Sequence, residues 1–422
     1  MSETRCIEIE VFIIRMIIGL ISFIGCVWHV SDVSGIYFSY ETDVNVYFER
    51  ETMVQIPGVT LCMNSSLLVR EDYIVKRFPE IYNLTSFKDS KYYVLGQYLH
   101  QLTLYEQLFK ATYRYSDVFN SCLTMKPLAY ENDPNELNDY IRCERISPIR
   151  EYITYSKKCF FISSQLLFEP TDRYLVDHDI TLRDNGFPLY QIKLNNQFLD
   201  QTVMFIQSRS TPFLGFIGGQ SNGIHLNNSK YDSFTFSYVK TSTQLLEPPY
   251  RTMCRDYNEI GYKTLSHCIV SCKANYFIAE FNGWHADIPA NGEYRLQVQY
   301  APIRLKENKT LDKLMADRCG LACSKMEDCY REYYELNTIG QFERTDEQQM
   351  LGIYIYLPNG MNTKYFHSPR LHLIEYICYF ASVFSLWFGF SIIAISKALI
   401  KAYRYYSCRR VKSVNEVAMI SQ

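Results

Sequence analysis

Two long apolar runs lie near the two ends of the chain, Val11–Val30 and Tyr376–Ser396. Each is long enough for a helix that crosses a bilayer, which needs about 20 apolar residues. The second run carries no formal charge, and the first carries only Arg15, which lies close enough to one end for its side chain to reach the interface. The pattern therefore predicts two transmembrane helices, over residues 11–30 and 374–396, flanking one large domain of residues 31–373.

The large middle domain combines predicted strands with two predicted helical patches. Runs rich in β-branched and aromatic residues predict strands at Thr60–Met63, Leu189–Leu194, Gln201–Gln207, Ser233–Val239, Tyr294–Tyr300 and Met350–Tyr356. The helical patches are Gly96–Lys110 and Thr310–Asn337. No internal repeat or low-complexity linker divides the segment, so we predict one interwoven mixed β/α domain.

Basic residues beside the spans predict their orientation, because Lys and Arg are enriched on the cytosolic side. Six follow the second span: Lys397, Lys401, Arg404, Arg409, Arg410 and Lys412. None occurs from His29 to Glu49. We therefore expect a multi-pass plasma-membrane protein with cytosolic tails, residues 1–10 and 397–422, and an extracellular middle domain.

A cleavable signal peptide is the alternative interpretation of the first apolar run. Such a peptide has a basic leader and a cleavage site of small residues. Met1–Glu10 has three acidic residues against one Arg, and the run ends in Val27-Trp28-His29-Val30, which is typical of an interfacial anchor. The pattern favours a retained helix.

Cysteines and glycosylation sequons support the extracellular placement. Of fourteen cysteines, ten fall in the middle domain: Cys62, Cys122, Cys143, Cys159, Cys254, Cys268, Cys272, Cys319, Cys323 and Cys329. The Asn-x-Ser/Thr sequons, at Asn64, Asn83, Asn227 and Asn308, lie there too. The Cys-x3-Cys spacings would also suit zinc, but thiolates are not available in an oxidising compartment. Five disulfides and no metal are predicted.

The composition contains little that favours other functions. The net charge is only -2, so no nucleic-acid partner is expected. The 15% of aromatic residues, with 36 Tyr, suits a β-rich extracellular domain and membrane interfaces. No Gly-x-Ser-x-Gly, phosphate-binding Gly-rich loop or His-Glu-x-x-His occurs, so neither an enzyme nor a cofactor is predicted.

Both predicted spans carry small residues at helical spacing. In the second span they are Cys378, Ser382, Ser385, Gly389 and Ser396, and in the first Gly19, Ser22 and Cys26. Such a stripe can pack against another helix, because small residues let backbones approach in lipid. It can equally line a polar pathway when several copies surround an axis, and one chain with two helices cannot enclose a pore. The sequence leaves both interpretations open.

Four segments, in order, resemble the degenerin and epithelial sodium channel family, which includes the acid-sensing ion channels and the insect pickpocket subunits. Tyr37–Tyr40 with Ile56–Cys62 is similar to the aromatic segment after the first span and the Pro-Ala-Val-Thr-Ile/Leu-Cys signature of the family. Leu245–Cys254 resembles the Pro-Pro-aromatic stretch before a cysteine, and Tyr262–Cys272 the family's Cys-x3-Cys spacing. Leu386–Ser391 resembles the Leu-aromatic-x-Gly-x-Ser of the second span.

The resemblance implies a specific activity and specific sites. Members are trimers, usually permeable to sodium ions and blocked by amiloride, in which second helices from related subunits line a pore through the lipid bilayer. Gly389, Phe390 and Ser391 match the selectivity belt, where an extended backbone narrows the pathway. Cys378 matches the position at which bulky substitutions hold these channels open, with Ser382 and Ser385 facing the pathway.

The resemblance also implies cysteine pairs and a coupling contact. The implied pairs are Cys254–Cys329, Cys268–Cys323, Cys272–Cys319, Cys62–Cys143 and Cys122–Cys159. Tyr40 and Tyr250 match an aromatic contact that couples the extracellular domain to the pore, although ordinary packing would also explain two tyrosines.

Three features depart from the family pattern. No His-Gly motif precedes the first span, Ala381-Ser382 replaces a double glycine, and Lys397 stands where the family has an acidic residue. Lysines at the inner mouth would repel cations. The alternatives to a conducting subunit are therefore an accessory subunit of a heterotrimer and a two-helix receptor without channel activity. An ATP-gated receptor is a further alternative, but the elements that would bind triphosphate are missing.

Overall fold

The computed structural model describes residues 2–49, 53–55, 57–80, 98–99, 101–102, 104–125, 140–146, 149–154, 156–162, 173–175, 188–195, 202–208, 223–226, 231–285, 288, 290–291, 301–303, 309–343, 350–356, 361–389 and 400–401. The chain divides into two compact units. The helical unit comprises Met1–Asp43, Pro248–Thr252 and Ser368–Gln422. The sheet unit comprises Val44–Glu247 and Met253–His367.

Eight α-helices are described. They are α1 (Ser2–Phe38), α2 (Glu71–Arg77), α3 (Tyr105–Ala111), α4 (Tyr115–Val118), α5 (Cys143–Ile146), α6 (Leu265–Phe281), α7 (Lys309–Ala322) and α8 (Leu373–Phe388). Two short 3-10 helices, Ser65–Leu68 and Tyr257–Ile260, are also described.

Eighteen strands are described. They are β1 (Thr42–Glu49), β2 (Met53–Gln55), β3 (Gly58–Asn64), β4 (Phe119–Met125), β5 (Tyr140–Arg142), β6 (Arg150–Ile153), β7 (Lys157–Ile162), β8 (Arg173–Leu175), β9 (Tyr190–Asn195), β10 (Thr202–Gln207), β11 (Ile224–Leu226), β12 (Tyr231–Gln244), β13 (Gly283–His285), β14 (Ala290–Asn291), β15 (Ala301–Ile303), β16 (Tyr330–Glu343), β17 (Met350–Ile355) and β18 (Asn362–Pro369).

The helical unit contains α1 and α8. Within the described residues, Met16–Phe38 of α1 is the one helical segment that is both long and apolar enough to cross a membrane, and side chains such as Ile17 and Leu20 are exposed on it. The α1 helix extends beyond the predicted span of residues 11–30 at both ends. The α8 helix is apolar and has 16 residues, and residues 390–396 of the predicted second span lie outside the described residues.

The sheet unit is built on two large sheets. The eight-stranded sheet has the order β1-β18-β12-β17-β9-β4-β5, with β16 also pairing to β12. The six-stranded sheet has the order β11-β10-β3-β7-β6-β14. Side chains from both sheets share the main core, among them Leu61 and Phe160 from the six-stranded sheet and Ile192, Phe234 and Ile353 from the eight-stranded sheet. The unit is therefore one interwoven domain of mixed strands and helices.

Five of the six predicted strands are confirmed, as parts of β3, β9, β10, β12 and β17. Buried and partly exposed residues alternate along β12, which explains why this strand could be predicted from the sequence. The predicted strand Tyr294–Tyr300 lies outside the described residues. Helix α3 lies at the end of the predicted helical patch Gly96–Lys110, whose remainder is described only in part.

The predicted helix Thr310–Asn337 is wrong in its second half. Helix α7 ends at Ala322, and Ser324 and Lys325 then adopt positive φ angles of 67° and 50°, which turn the chain. The following residues form β16, which pairs antiparallel with β12 along its length, from Tyr330 opposite Gln244 to Glu343 opposite Tyr231. Pairing with a neighbouring strand thus overrides the local helical pattern.

A buried charge pair joins β12 to β16. Lys240 Nζ lies 3.1 Å from Glu332 Oε1, and the hydroxyls of Tyr330 and Tyr334 donate to the same carboxylate at 2.8 and 3.1 Å. Burial by itself raises the pKa of Glu332. The Lys240 ammonium and hydrogen bonds from Ser208, Tyr330 and Lys240 outweigh burial, so the pKa lies below its ordinary value. The carboxylate is therefore ionised where it sits.

All ten cysteines of the middle domain form disulfides. Three pairs agree with those implied by the family resemblance: Cys254–Cys329, Cys268–Cys323 and Cys272–Cys319. Cys272–Cys319 joins α6 to α7, and Cys268–Cys323 joins α6 to the residue that directly follows α7.

The implied pairing of the other four cysteines is wrong. The structure joins Cys62 to Cys159 and Cys122 to Cys143, not Cys62 to Cys143 and Cys122 to Cys159. Strand register explains the outcome: Cys62 lies directly opposite Cys159 in the β3–β7 pair, and Leu123 opposite Arg142 in the β4–β5 pair brings Cys122 beside Cys143. Cys62–Cys159 is consequently a cross-strand link within a sheet, and Cys122–Cys143 joins β4 to the first residue of α5, directly after β5.

Candidate functional site

Helix α8 begins at a capping box and ends at a glycine. The backbone N–H of His372 donates to Glu375 Oε2 at 2.9 Å, so this N–H at the start of the helix has a hydrogen-bond acceptor. At the other end Gly389 adopts the left-handed conformation, with φ 65° and ψ 20°, and its N–H donates to Ser385 O at 2.9 Å. Glycine accepts this conformation without strain. Regular helix therefore stops at the first residue of the predicted selectivity belt, and Phe390 and Ser391 lie outside the described residues.

One face of α8 packs on α1. The ring of Tyr376 stacks on Tyr37 with centroids 4.4 Å apart, and its hydroxyl lies 3.1 Å from Ser34 Oγ. Eleven residues further along, the indole N–H of Trp387 donates to His29 Nδ1 at 3.1 Å. Counted at about 100° per residue, these two contacts lie on the same side of α8. They attach α8 to α1 near both of its ends.

The small-residue stripe lies on the opposite face of α8. Cys378, Ser382, Ser385 and Gly389 fall roughly 180° to 240° from Tyr376 around the helix. All four are exposed, and Cys378 has a free thiol. Ser382 Oγ donates back to Cys378 O at 2.7 Å, so its polarity is partly satisfied within the helix. The stripe is therefore not the surface through which α8 packs on α1, and it is open to another subunit or to an aqueous pathway.

The small residues of α1 behave differently from the predicted stripe. Cys26 is buried, but Gly19 is exposed and has no heavy atom of another residue within 4 Å of the position a Cβ would take. The close approach is at Gly25, where a Cβ would lie 2.3 Å from the Trp387 ring. Sequence reasoning missed this contact, because the spacing pointed to Gly19, Ser22 and Cys26 and nothing in the sequence paired Gly25 with a particular residue of α8.

The structure brings Tyr40 and Tyr250 together. Their rings are in edge-to-face contact with centroids 5.9 Å apart and an interplanar angle of 89°. The loop Pro248–Thr252 that carries Tyr250 belongs to the helical unit, and the N–H of Arg251 in this loop donates to Tyr40 O at 3.2 Å. Tyr40 itself has a positive φ of 50° just after α1. The loop is thus attached to the end of α1 by backbone and by side chain.

A charge cluster that sequence reasoning missed surrounds this contact. Glu41 pairs with Arg251, Nη1 to Oε1 at 3.3 Å, and also with Arg370, whose N–H donates to Glu41 O at 3.0 Å. One carboxylate therefore connects the end of α1, the loop Pro248–Thr252 and the segment that leads into α8. No sequence pattern pointed to these residues, because they are about 120 to 330 positions apart.

The described sequon asparagine is Asn64. Its side-chain oxygen accepts hydrogen bonds from Ser66 N and Ser66 Oγ, at 3.1 and 2.9 Å, and the residue is partly exposed. Asn83, Asn227 and Asn308 lie outside the described residues. Within the described part of the chain, no group of three or more His, Cys, Asp or Glu side chains is arranged to hold a metal ion.

Comparison with known proteins identifies the family. The family model described as amiloride-sensitive sodium channel matches residues 12–396 of the chain. No curated protein sequence matches it. Among solved structures, the cryo-EM structure of a proton-activated chloride channel aligns over 94% of this chain and 98% of that chain, with 6% identity and a TM-score of 0.31. A TM-score this low supports no conclusion about fold or function.

The family match covers both helices that carry the contacts described above and the whole disulfide-linked domain between them. Families of this kind act in the plasma membrane as ion channels, and the five disulfides and mixed sheets fit a membrane protein with a disulfide-rich extracellular domain. The chain belongs to the amiloride-sensitive sodium channel family.

Proposed function

We propose that this chain is a subunit of a trimeric, sodium-permeable, amiloride-sensitive gated cation channel. The observation that carries the proposal is the exposed stripe of Cys378, Ser382 and Ser385, which lies opposite the α1-facing side of α8 and leads to the helix end at Gly389. A polar stripe on an apolar helix has a role where it lines a water-filled pathway. Since two helices cannot enclose such a pathway, several copies of α8 would surround it.

The end of α8 supports a selectivity belt at Gly389–Ser391. A regular helix has its backbone carbonyls committed to internal hydrogen bonds, whereas the left-handed Gly389 ends that pattern. Free carbonyls beyond such a point can replace part of the hydration shell of an ion. Non-helical backbone at membrane depth is tolerated where it lines a cavity.

The loop Pro248–Thr252 supports a gating connection. Tyr250 and Arg251 of the loop contact Tyr40 and Glu41, which directly follow α1, while the residues on both sides of the loop belong to the sheet unit. We assign Cys378 as the gate position and the Tyr40–Tyr250 contact as the coupling element. Both termini are cytosolic, and Asn64, Asn83, Asn227 and Asn308 carry extracellular glycans.

The test is a bulky substitution at the gate position. Cys378→Trp in the full chain, expressed in cells alone and with related subunits, should give a constitutive sodium current that amiloride blocks. The matched control is Ile377→Trp, because Ile377 is also exposed on α8 but lies about 100° away around the helix. No current from Cys378→Trp at confirmed surface expression, or equal currents from both variants, would contradict the proposal.

A non-conducting accessory subunit is the second candidate, and Lys397 favours it. A ring of lysines at the inner mouth opposes cation entry. If Lys397 limits conduction, Lys397→Glu should raise the sodium current of the chain expressed alone. If the chain is an accessory subunit or a receptor without channel activity, it will carry no current alone with either residue, and only the accessory subunit will alter the current of a co-expressed relative.

A further inference from the structure

We propose that Gly25 and His29 of α1 form a notch that seats Trp387 and thereby fixes the end of α8 next to Gly389. Gly25 and His29 are four residues apart, so they lie on one face of α1, one turn from each other. The indole of Trp387 contacts both. The inference rests on the proposed function only for its consequence for ion conduction, because the contact itself can be tested without current.

The indole of Trp387 occupies the space that a side chain at position 25 would need. A Cβ at position 25 would lie 2.3, 2.5 and 2.7 Å from Cη2, Cζ2 and Cζ3 of Trp387, closer than non-bonded carbon atoms approach. Gly19 on the same helix gives the contrast, since a Cβ there would meet nothing within 4 Å. The absence of a side chain at Gly25 is therefore what allows Trp387 to approach α1.

The hydrogen bond to His29 sets the orientation of the indole. Trp387 Nε1 donates to His29 Nδ1 at 3.1 Å, and the two rings meet at 61°. An indole N–H without an acceptor in an apolar environment is costly, so the bond favours a single ring orientation.

Trp387 lies close to the end of α8, so its contact with the notch bears on the position of that helix end. Trp387 lies two residues before Gly389, and the last helical hydrogen bond of α8, from Gly389 N to Ser385 O, spans it. Rotation of this helix end would carry the indole out of the notch. The Tyr376 contact with α1 is about 16 Å away at 1.5 Å per residue, so of the two contacts described above the one at Trp387 lies next to Gly389. Gly25 and His29 are thus positioning residues for the start of the belt.

The contact is tested by a double-mutant cycle on the detergent-solubilised full chain. Gly25→Ala should lower the melting midpoint by about 2–5 °C, because overpacking displaces the indole. Gly19→Ala should leave it unchanged or raise it slightly, because Ala is the better helix former and the position is open. Trp387→Phe removes the ring atoms that clash with a Cβ, so the double variant Gly25→Ala/Trp387→Phe should be more stable than the sum of the single effects predicts. Additive effects, or equal effects of Gly19→Ala and Gly25→Ala, would overturn the inference.

The hydrogen bond and the positioning role have their own tests. His29→Asn keeps a side-chain acceptor and should behave like the wild type, whereas His29→Leu should not. In a conducting channel, Gly25→Ala and His29→Leu should shift the reversal potential or the open fraction at equal surface expression, and Gly19→Ala should not. Conducting variants that match the wild type in both quantities despite lowered stability would reject the positioning role. Absence of current from every chain, wild type included, would count against the proposed function, and the stability cycle would still decide the notch.

Discussion

Replacing Glu151 by Gln should destabilise the protein more than replacing its partner, Lys158, by Met. The side chain of Lys158 is 0% exposed, whereas that of Glu151 is 15% exposed. Lys158 Nζ lies 2.9 Å from Glu151 Oε2 and donates to Thr112 Oγ1 and Tyr113 O at 3.1 and 2.7 Å, so its three protons are all used. Burial lowers the pKa of Lys158, and the Glu151 carboxylate opposes that shift. The charge is tolerated chiefly because of Glu151.

The asymmetry follows from which charge remains buried. Glu151→Gln leaves the ammonium fully buried without a counter-charge, which costs about 3–5 kcal/mol. Lys158→Met removes that charge and keeps most of the side-chain length. The remaining Glu151 can be hydrated and still accepts a hydrogen bond from Tyr115 N at 2.9 Å, so the expected cost is about 1–2 kcal/mol. The double variant should resemble Lys158→Met alone.

The assay is the thermal melting midpoint of the detergent-solubilised full chain. At roughly 1.5–2 °C per kcal/mol for a domain of this size, Glu151→Gln should lower the midpoint by about 5–10 °C and Lys158→Met by about 2–4 °C. Glu106→Gln is the matched control, since Glu106 pairs with Lys110 at 2.6 Å on an exposed face and should have no measurable effect. The reasoning is refuted if Glu151→Gln is no worse than Glu106→Gln, or if Lys158→Met is the more damaging change.

Three further predictions concern the sheet unit and the end of α8. The pKa of Glu332 is lowered in the folded state, because the Lys240 ammonium and hydrogen bonds outweigh burial. The stability that this carboxylate contributes is therefore present above the ordinary pKa of 4.5 and is lost as the pH falls through the lowered value. The melting midpoints of wild type and Glu332→Gln should consequently converge in acid. Non-reducing peptide mapping should find Cys122 linked to Cys143, and replacing both by Ser should cost about 3 kcal/mol for a loop of this length, measured as a lower midpoint. Gly389→Ala should lower the midpoint and surface expression, because a positive φ costs a residue with a side chain about 1 kcal/mol, whereas Gly389→Asn should be milder.

Elements with a strong local pattern were predictable from the sequence, and elements that depend on partners were not. Strands β10 and β12 were predicted because their own residues alternate or are uniformly apolar. Strand β16 was missed because most of its side chains are exposed or half-buried and its structure depends on pairing with β12. The turn at Ser324 and Lys325 contains neither Gly nor Asn, the residues that usually indicate a positive φ angle.

The same distinction holds for the candidate site. The stripe of Cys378, Ser382 and Ser385 follows from helical spacing alone, so the sequence was sufficient to place it on one face of α8. The seat of Trp387 against Gly25 depends on how α1 and α8 are rotated and aligned along each other, which one chain's sequence does not encode in any local pattern. The incorrect pairing of Cys62 with Cys143 has a similar origin, because strand register decides which cysteines meet.

The interleaved composition of the two units has a practical consequence for building chimeras with related channels. The chain passes between the units four times, at 43/44, 247/248, 252/253 and 367/368. A transplant of residues 44–367 as one block would carry Pro248–Thr252 along and set a foreign loop against Tyr40 and Glu41 of the recipient. A functional exchange therefore requires four junctions, with the native five-residue loop kept beside its own α1.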